Sequence, residues 1–167
     1  MKPRAAAAVR EAGAEDLVLL PGLEAAADTL LEGMKGLDAL PPPATASELA
    51  LARHVLVAGK PPVGFARIEE VDGQAHLEQL SVHPSAAGAG LGRLLVESAL
   101  QWARKQGYRS MTLCTFAEVP FNAPLYRSCG FEPVHDPEGR LRDLREHERR
   151  LGLDALGPRM AMRRALD

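Results

Sequence analysis

The feature that most restricts the fold is the run Val82-His83-Pro84-Ser85-Ala86-Ala87-Gly88-Ala89-Gly90-Leu91-Gly92-Arg93. It follows a strand-like segment and leads into Leu91, Leu94, Leu95, Ser98, Ala99 and Trp102, which repeat at helical spacing. A helix that begins inside a glycine turn aims unpaired amide N–H groups and the positive end of its dipole at one point. Glycine lets that backbone approach an anion with no side chain between them, which suits a diphosphate. Purely structural turns use the same glycines, so the surrounding order of elements has to decide. A Walker loop is excluded, because no Gly-Lys-Ser or Gly-Lys-Thr follows. A dinucleotide fingerprint normally opens its domain after a single strand, whereas here an antiparallel meander comes first.

That meander is read from residues 54–58, 63–71 and 75–83, with Asp72-Gly73 as a two-residue hairpin turn. Upstream, Val9-Arg10-Glu11 is a first strand candidate. A helical pattern then opens at Glu15-Asp16 with Leu17, Leu20, Leu23 and Ala27, and Pro21 kinks or divides it. Gly33, Gly36 and Pro41-Pro42-Pro43 mark a loop, after which Ser47 is expected to cap a short helix reaching Arg53. Downstream, Gly107 stops the glycine-loop helix before a strand over residues 110–115, and the crossover makes that strand parallel to residues 75–83. A helix over residues 120–128 ends at Gly130. A short strand (131–134), a charged helix (140–151) and a last strand (158–165) complete the chain. The predicted fold class is mixed α+β, a mostly antiparallel central sheet holding one parallel pair and flanked by helices, in a single domain over residues 1–167.

Composition narrows the function. A formal charge of −2 gives no global field for nucleic acid or an anionic membrane. Cys114 and Cys129 stand far apart with no metal-ligand spacing around them, so neither a metal site nor a disulfide framework is expected. The opening Met1-Lys2-Pro3-Arg4 and the alanines after it are too short an apolar run for a secretion signal, and no stretch has the length to span a bilayer. A cytoplasmic protein with a small-molecule or peptide partner is the expectation.

Ala87 to Gly92, read as Ala-Gly-Ala-Gly-Leu-Gly after Leu80-Ser81-Val82-His83-Pro84, resembles the Gln/Arg-x-x-Gly-x-Gly/Ala signature of the GNAT N-acetyltransferases. Asn122-Ala123-Pro124-Leu125-Tyr126-Arg127-Ser128-Cys129-Gly130-Phe131 is similar to the Leu-Tyr-x-x-x-Gly-Phe ending of the same family. Ala87 departs from the pattern and removes a polar side chain, leaving backbone contacts. The resemblance implies the GNAT fold, acetyl-CoA as co-substrate without a metal, direct attack by a primary amine, and a homodimer as one allowed assembly. It implies that Leu80, Ser81 and Val82 meet the pantetheine arm, and that Ala87, Gly88, Ala89, Gly90, Leu91, Gly92 and Arg93 hold the diphosphate. Asn122 is a further cofactor contact or a helix cap.

Deprotonation of the amine needs a base, and His76 and Glu78 lie two apart on one predicted strand, with Leu77 and Gln79 expected on the other face. His76 falls where some family members carry a base glutamate, and Glu78 is the only carboxylate on the strand. Both also fit a solvated sheet face. Tyr126 takes the family's role of proton donor to the departing sulfur, against the simpler reading of an amphipathic core tyrosine. Cys129 and Trp102 read as core. Glu24, Asp28 and Glu32 share one helix face that either attracts a cationic amine or is merely solvated. Residues 136–157, rich in Arg and Glu, are an insertion before the last strand that is expected to roof the acceptor groove. A non-catalytic acyl-CoA sensor of the same fold is the alternative function.

Overall fold

A computed structural model of the chain describes residues 8–31 and 40–167. The basic opening at Met1–Arg4, the glycines Gly33 and Gly36, and Glu32 lie outside the described residues. The strands are β1 (Val9–Glu11), β2 (His54–Ala58), β3 (Gly64–Val71), β4 (Gln74–Val82), β5 (Ser110–Phe116), β6 (Glu132–Val134) and β7 (Arg159–Ala165). The α-helices are α1 (Ala14–Leu17), α2 (Leu20–Asp28), α3 (Ala46–Ala50), α4 (Leu91–Lys105), α5 (Ala123–Ser128) and α6 (Gly139–Arg150). They build a seven-stranded sheet in the order β1-β2-β3-β4-β5-β7-β6, in which β4 and β5 form the parallel pair and every other pair is antiparallel. This is the predicted mixed architecture. No helix among the described residues is long and apolar enough to cross a membrane.

Local chemistry explains most boundaries. Asp72 (φ 54) and Gly73 (φ 74) both adopt the left-handed conformation, which matches the twist of the β3–β4 hairpin they close. Pro21 divides the first helical region into α1 and α2, because proline is accepted in a first turn and not in a helix interior. The cap of α3 is Thr45, not Ser47. Its hydroxyl accepts from the Glu48 amide at 3.1 Å while Glu48 reaches back to Thr45, and the helix ends at Ala50 rather than at Arg53.

Two layers cover the sheet. The apolar stripe of α4 (Leu91, Leu95, Val96, Ala99, Leu100 and Ala103) packs with Ala66, Ile68, Ala75, Leu77 and Met111 on one face, joined there by Tyr126, Cys129 and Phe131. On the other face Leu20, Leu23 and Leu49 pack against Val55, Val57 and Phe65. Val71 shares the β3 alternation of Phe65, so its contact with Leu141 brings α6 onto this second face as well. Between α2 and α6 the second face is left open above β4.

Candidate active site

The site begins with an irregularity in β4. Arg67 pairs with Gln79 while Ile68 pairs with Leu77, so Glu78 is an extra residue bulged out of the ladder. The bulge reverses the alternation beyond it. Leu80 and Val82 join Leu77 against the α4 cluster, and Gln79 bonds to Ser81 at 2.9 Å on the opposite face. The expectation that Gln79 lies on the side of Leu77 is therefore corrected, since strict period two fails across a bulge. The bulge also bends β4 away from β5. These strands pair only at Ala75–Met111 and His76–Thr112, and the β5-facing edge of β4 beyond Glu78 has no strand partner.

At the end of that open edge the glycine turn enters α4. The His83 amide donates to Val63 O at 2.8 Å, and a 3-10 turn over Pro84–Ala86 follows. Gly88 (φ 80) and Gly90 (φ 79) then occupy the left-handed region, where a side chain would be strained. The first intrahelical bond of α4 runs from the Leu94 amide to Gly90 O, so the amides of Leu91, Gly92 and Arg93 have no carbonyl partner in their own helix. Ala87, Gly88, Gly90, Leu91, Gly92 and Arg93 line a groove of about 1060 Å³ together with Leu80, Ser81, Val82 and Asn122. Ala89 does not line it. The groove has the size of a cofactor-and-substrate site, and its unpaired amides suit a diphosphate. Asn122 takes the N-cap position of α5, as one of its two readings has it, but its side chain makes no capping bond there.

The side chains proposed for proton transfer open into the same groove. His76 is 3% exposed, and its Nδ1 lies 2.8 Å from Thr112 Oγ1. Burial pushes its pKa down to about 4 against the opposing charge of Glu148, so the ring is neutral at pH 7. Glu78 Oε2 lies 3.5 Å from His76 Nε2 with the Glu78 side chain 41% exposed. Desolvation holds its carboxyl above the usual carboxylate range, opposed by Arg67 and reinforced by Glu69 and Glu148. Tyr126 is 6% exposed, with its ring edge against Phe131 at 5.9 Å. Burial raises its phenol, reinforced by Cys129 and opposed by Arg159. Cys114 also lines the groove, but burial pushes its thiol up to about 12, which keeps it protonated and unreactive.

The insertion forms a fixed wall of the groove. Asp72, in the β3–β4 turn, accepts from the amides of Arg140 and Leu141 at 3.1 and 3.2 Å and so secures the start of α6. Toward its other end, buried Arg145 binds Asp154 through both terminal nitrogens (3.1 and 2.8 Å) and Glu148 at 2.7 Å. Glu148 is held in turn by Arg159 of β7 at 2.5 Å, and Arg159 lies over the Phe116 ring at 4.5 Å. Leu144, His147, Glu148 and Leu151 thereby join the groove lining.

Sequence reasoning read Asp72 only as a turn residue and Glu148 only as part of the insertion, and it missed Thr112 and Arg159, whose partners lie on other elements. Glu24 did carry a local signal. It stands four residues after Leu20 and beside Leu23, on the apolar stripe of α2. Glu24 is 8% exposed and lines the groove, so the solvated-face reading fails for this residue.

Comparison with known proteins agrees with this geometry. The profile of the acetyltransferase (GNAT) family matches residues 33–131. An uncharacterized N-acetyltransferase of Schizosaccharomyces pombe is 39% identical over 69 residues, which are 39% of this chain and 42% of that protein; the match thus spans less than half of that relative's length. Among solved structures, the ribosomal-protein-S18-alanine N-acetyltransferase of Escherichia coli superposes with a TM-score of 0.66 at 19% identity, covering 96% of this chain and 94% of that one. A phosphinothricin acetyltransferase of Sinorhizobium meliloti, solved in complex with AcCoA, gives 0.67 at 20% identity, covering 96% and 88%. At these identities the structures speak for the fold, and the profile, spanning more than half of the sequence, speaks for the lineage: this chain belongs to the acetyltransferase (GNAT) family.

Proposed function

We propose that the chain is a single N-acetyltransferase domain that moves an acetyl group from acetyl-CoA to a primary amine by direct attack in a ternary complex. One observation carries this reading: the open edge of β4, the unpaired amides at the start of α4, Glu78 and Tyr126 all border one continuous groove. Acetyl-CoA, when bound, supplies the acetyl group as an activated thioester. The backbone between Ala87 and Arg93 holds its diphosphate through amides and the helix dipole, so the absent side chain at Ala87 costs little. The free edge from Leu80 to Val82 takes the pantetheine arm as an added strand.

Glu78 removes the proton from the incoming ammonium nitrogen. An alkylammonium has a pKa of about 10, so a carboxylate held above its usual range is a better base than an ordinary one. Neutral His76, held by Thr112, gives Glu78 an uncharged polar neighbour. The Tyr126 hydroxyl donates its proton to the departing sulfur. Burial raises the phenol, but it raises a thiol leaving into the same groove too, so the transfer stays near balance.

The test is acetyl-CoA-dependent thiol release across a panel of amines. Turnover is expected, with Tyr126→Phe lowering kcat by about 10- to 100-fold while acetyl-CoA affinity by calorimetry holds. An unchanged rate in that variant removes the role of Tyr126. Acetyl-CoA binding without amine-dependent release would identify a sensor in place of an enzyme.

A further inference from the structure

We propose that the α2 side of the groove is a subsite for a second cationic group, so that the acceptor is a diamine or polyamine rather than a monoamine or an amino acid. The proposal rests on the transferase reading and adds to it the chemistry of the acceptor.

The buried carboxylate of Glu24 carries the inference. It is 8% exposed and lines the groove, and no cation pairs with it among the described residues. Among the described residues the Ala44 amide steadies its charge by hydrogen bonding, and Arg67 acts on it at a distance. A buried carboxylate that opens onto a cavity without a counter-charge is costly in isolation and is suited to a cation from outside. One turn further along α2, half-buried Asp28 borders the same space and reinforces the field at Glu24, as does Glu78. Without a ligand the Glu24 carboxyl is pushed up to about 7, first by burial and then by Asp28.

The cations nearby are already engaged. Arg145 and Arg159 are matched by Glu148 and Asp154 in the α6 wall, and Arg67 binds Glu69 at 2.9 Å. Among the described residues on this side, Glu24, Asp28 and Glu78 are carboxylates with no arginine or lysine partner, while Glu48 is turned into the Thr45 cap. An amino-acid acceptor would bring its carboxylate against these groups, and among the described residues the arginines on this side already hold carboxylates, so like-charge repulsion selects against it. A diamine presents one nitrogen to Glu78 and the other to Glu24 and Asp28, with its methylenes along Leu30 and Leu31, which border the same side.

The experiment measures kcat/KM for 1,4-diaminobutane, n-butylamine and β-alanine with the parent protein and with Glu24→Gln and Asp28→Asn. The parent should prefer the diamine over butylamine by about tenfold or more, the size expected for a charge meeting a desolvated partner, with β-alanine slowest. Each variant should reduce the diamine-to-butylamine ratio, and Glu24→Gln should bring it near one. Calorimetry with acetyl-CoA verifies that each variant is folded. Should Glu24→Gln not fold, the ratio in Asp28→Asn decides. A parent that turns over butylamine and the diamine equally, or a ratio unmoved in the folded variants, overturns the subsite and leaves the transferase reading standing. If no amine accelerates thiol release, the transferase reading fails and takes the subsite with it.

Discussion

At the α4 end the groove is lined by the backbone of a glycine turn and a helix start, whereas between α2 and α6 it is lined by carboxylate side chains drawn from separate elements. The first arrangement follows from a glycine turn and a helix start, and it survives a change such as alanine at position 87. The second depends on single residues: Glu24 on α2, Glu78 at a bulge in β4, and the wall formed by Asp72, Arg145, Glu148 and Arg159. One end thus rests on backbone geometry, and the other on particular side chains. Substitutions should divide along the same line, with cofactor affinity moving at one end and acceptor kinetics at the other.

The largest effect is expected from Glu78→Gln, which should lower kcat by about 100-fold or more and leave acetyl-CoA affinity within about twofold in calorimetry. The pH profile gives the sign. As the proposed base Glu78 would act only when ionised, and its pKa is raised, so the parent rate should climb with pH beyond the usual carboxylate range, and the variant should lose that limb. A comparable loss of cofactor affinity would erase the division between the two ends. Gly64→Ala tests the opposite end. Its new Cβ would lie 3.0 Å from Leu95 Cδ1 and 3.2 Å from Ser81 O, so α4 and the β4 backbone must each shift away from β3 to admit it. A stability loss of about 1–3 kcal/mol in denaturant unfolding and a several-fold weaker acetyl-CoA affinity are expected.

Asp72→Ala frees the start of α6, and Gly139, whose added Cβ would lie 3.0 Å from Asp72, loses its packing partner. The acceptor KM should rise a few-fold while acetyl-CoA affinity holds, because the wall borders only the acceptor end. The smallest effect concerns stability. The folded-state pKa of Glu24 is about 7, raised from the ordinary carboxylate value, so its favourable contribution is present at low pH and is lost as pH rises through 7. In thermal unfolding Glu24→Gln should therefore exceed the parent at pH 8 by on the order of 1–2 kcal/mol, with the gap closing toward pH 5.

The contrast between the two ends also explains what the sequence made legible. The antiparallel meander, the parallel pair, the Asp72-Gly73 turn and the glycine-turn helix start follow from local signals such as period and turn residues, and the motif around Tyr126 follows from a resemblance, whereas the place of β7 between β5 and β6 has no local signal. The bulge at Glu78 has no such signal, since nothing within β4 marks an extra residue, and it reversed the expected side of Gln79. Thr112 beside His76 is set by a pairing far apart in the chain, and the hold of Arg159 on Glu148 joins β7 to α6. Glu24 was open to a reading of helical period, but a carboxylate on an apolar stripe is ordinarily assigned to solvent.

The most direct measurement is a crystal structure of the protein with coenzyme A. The diphosphate oxygens should lie about 2.7–3.2 Å from amide nitrogens within residues 88–93, with the pantetheine arm along β4 from Leu80 to Val82. A diphosphate bound away from the α4 N-terminus, with those amides turned toward protein acceptors, would contradict the assignment.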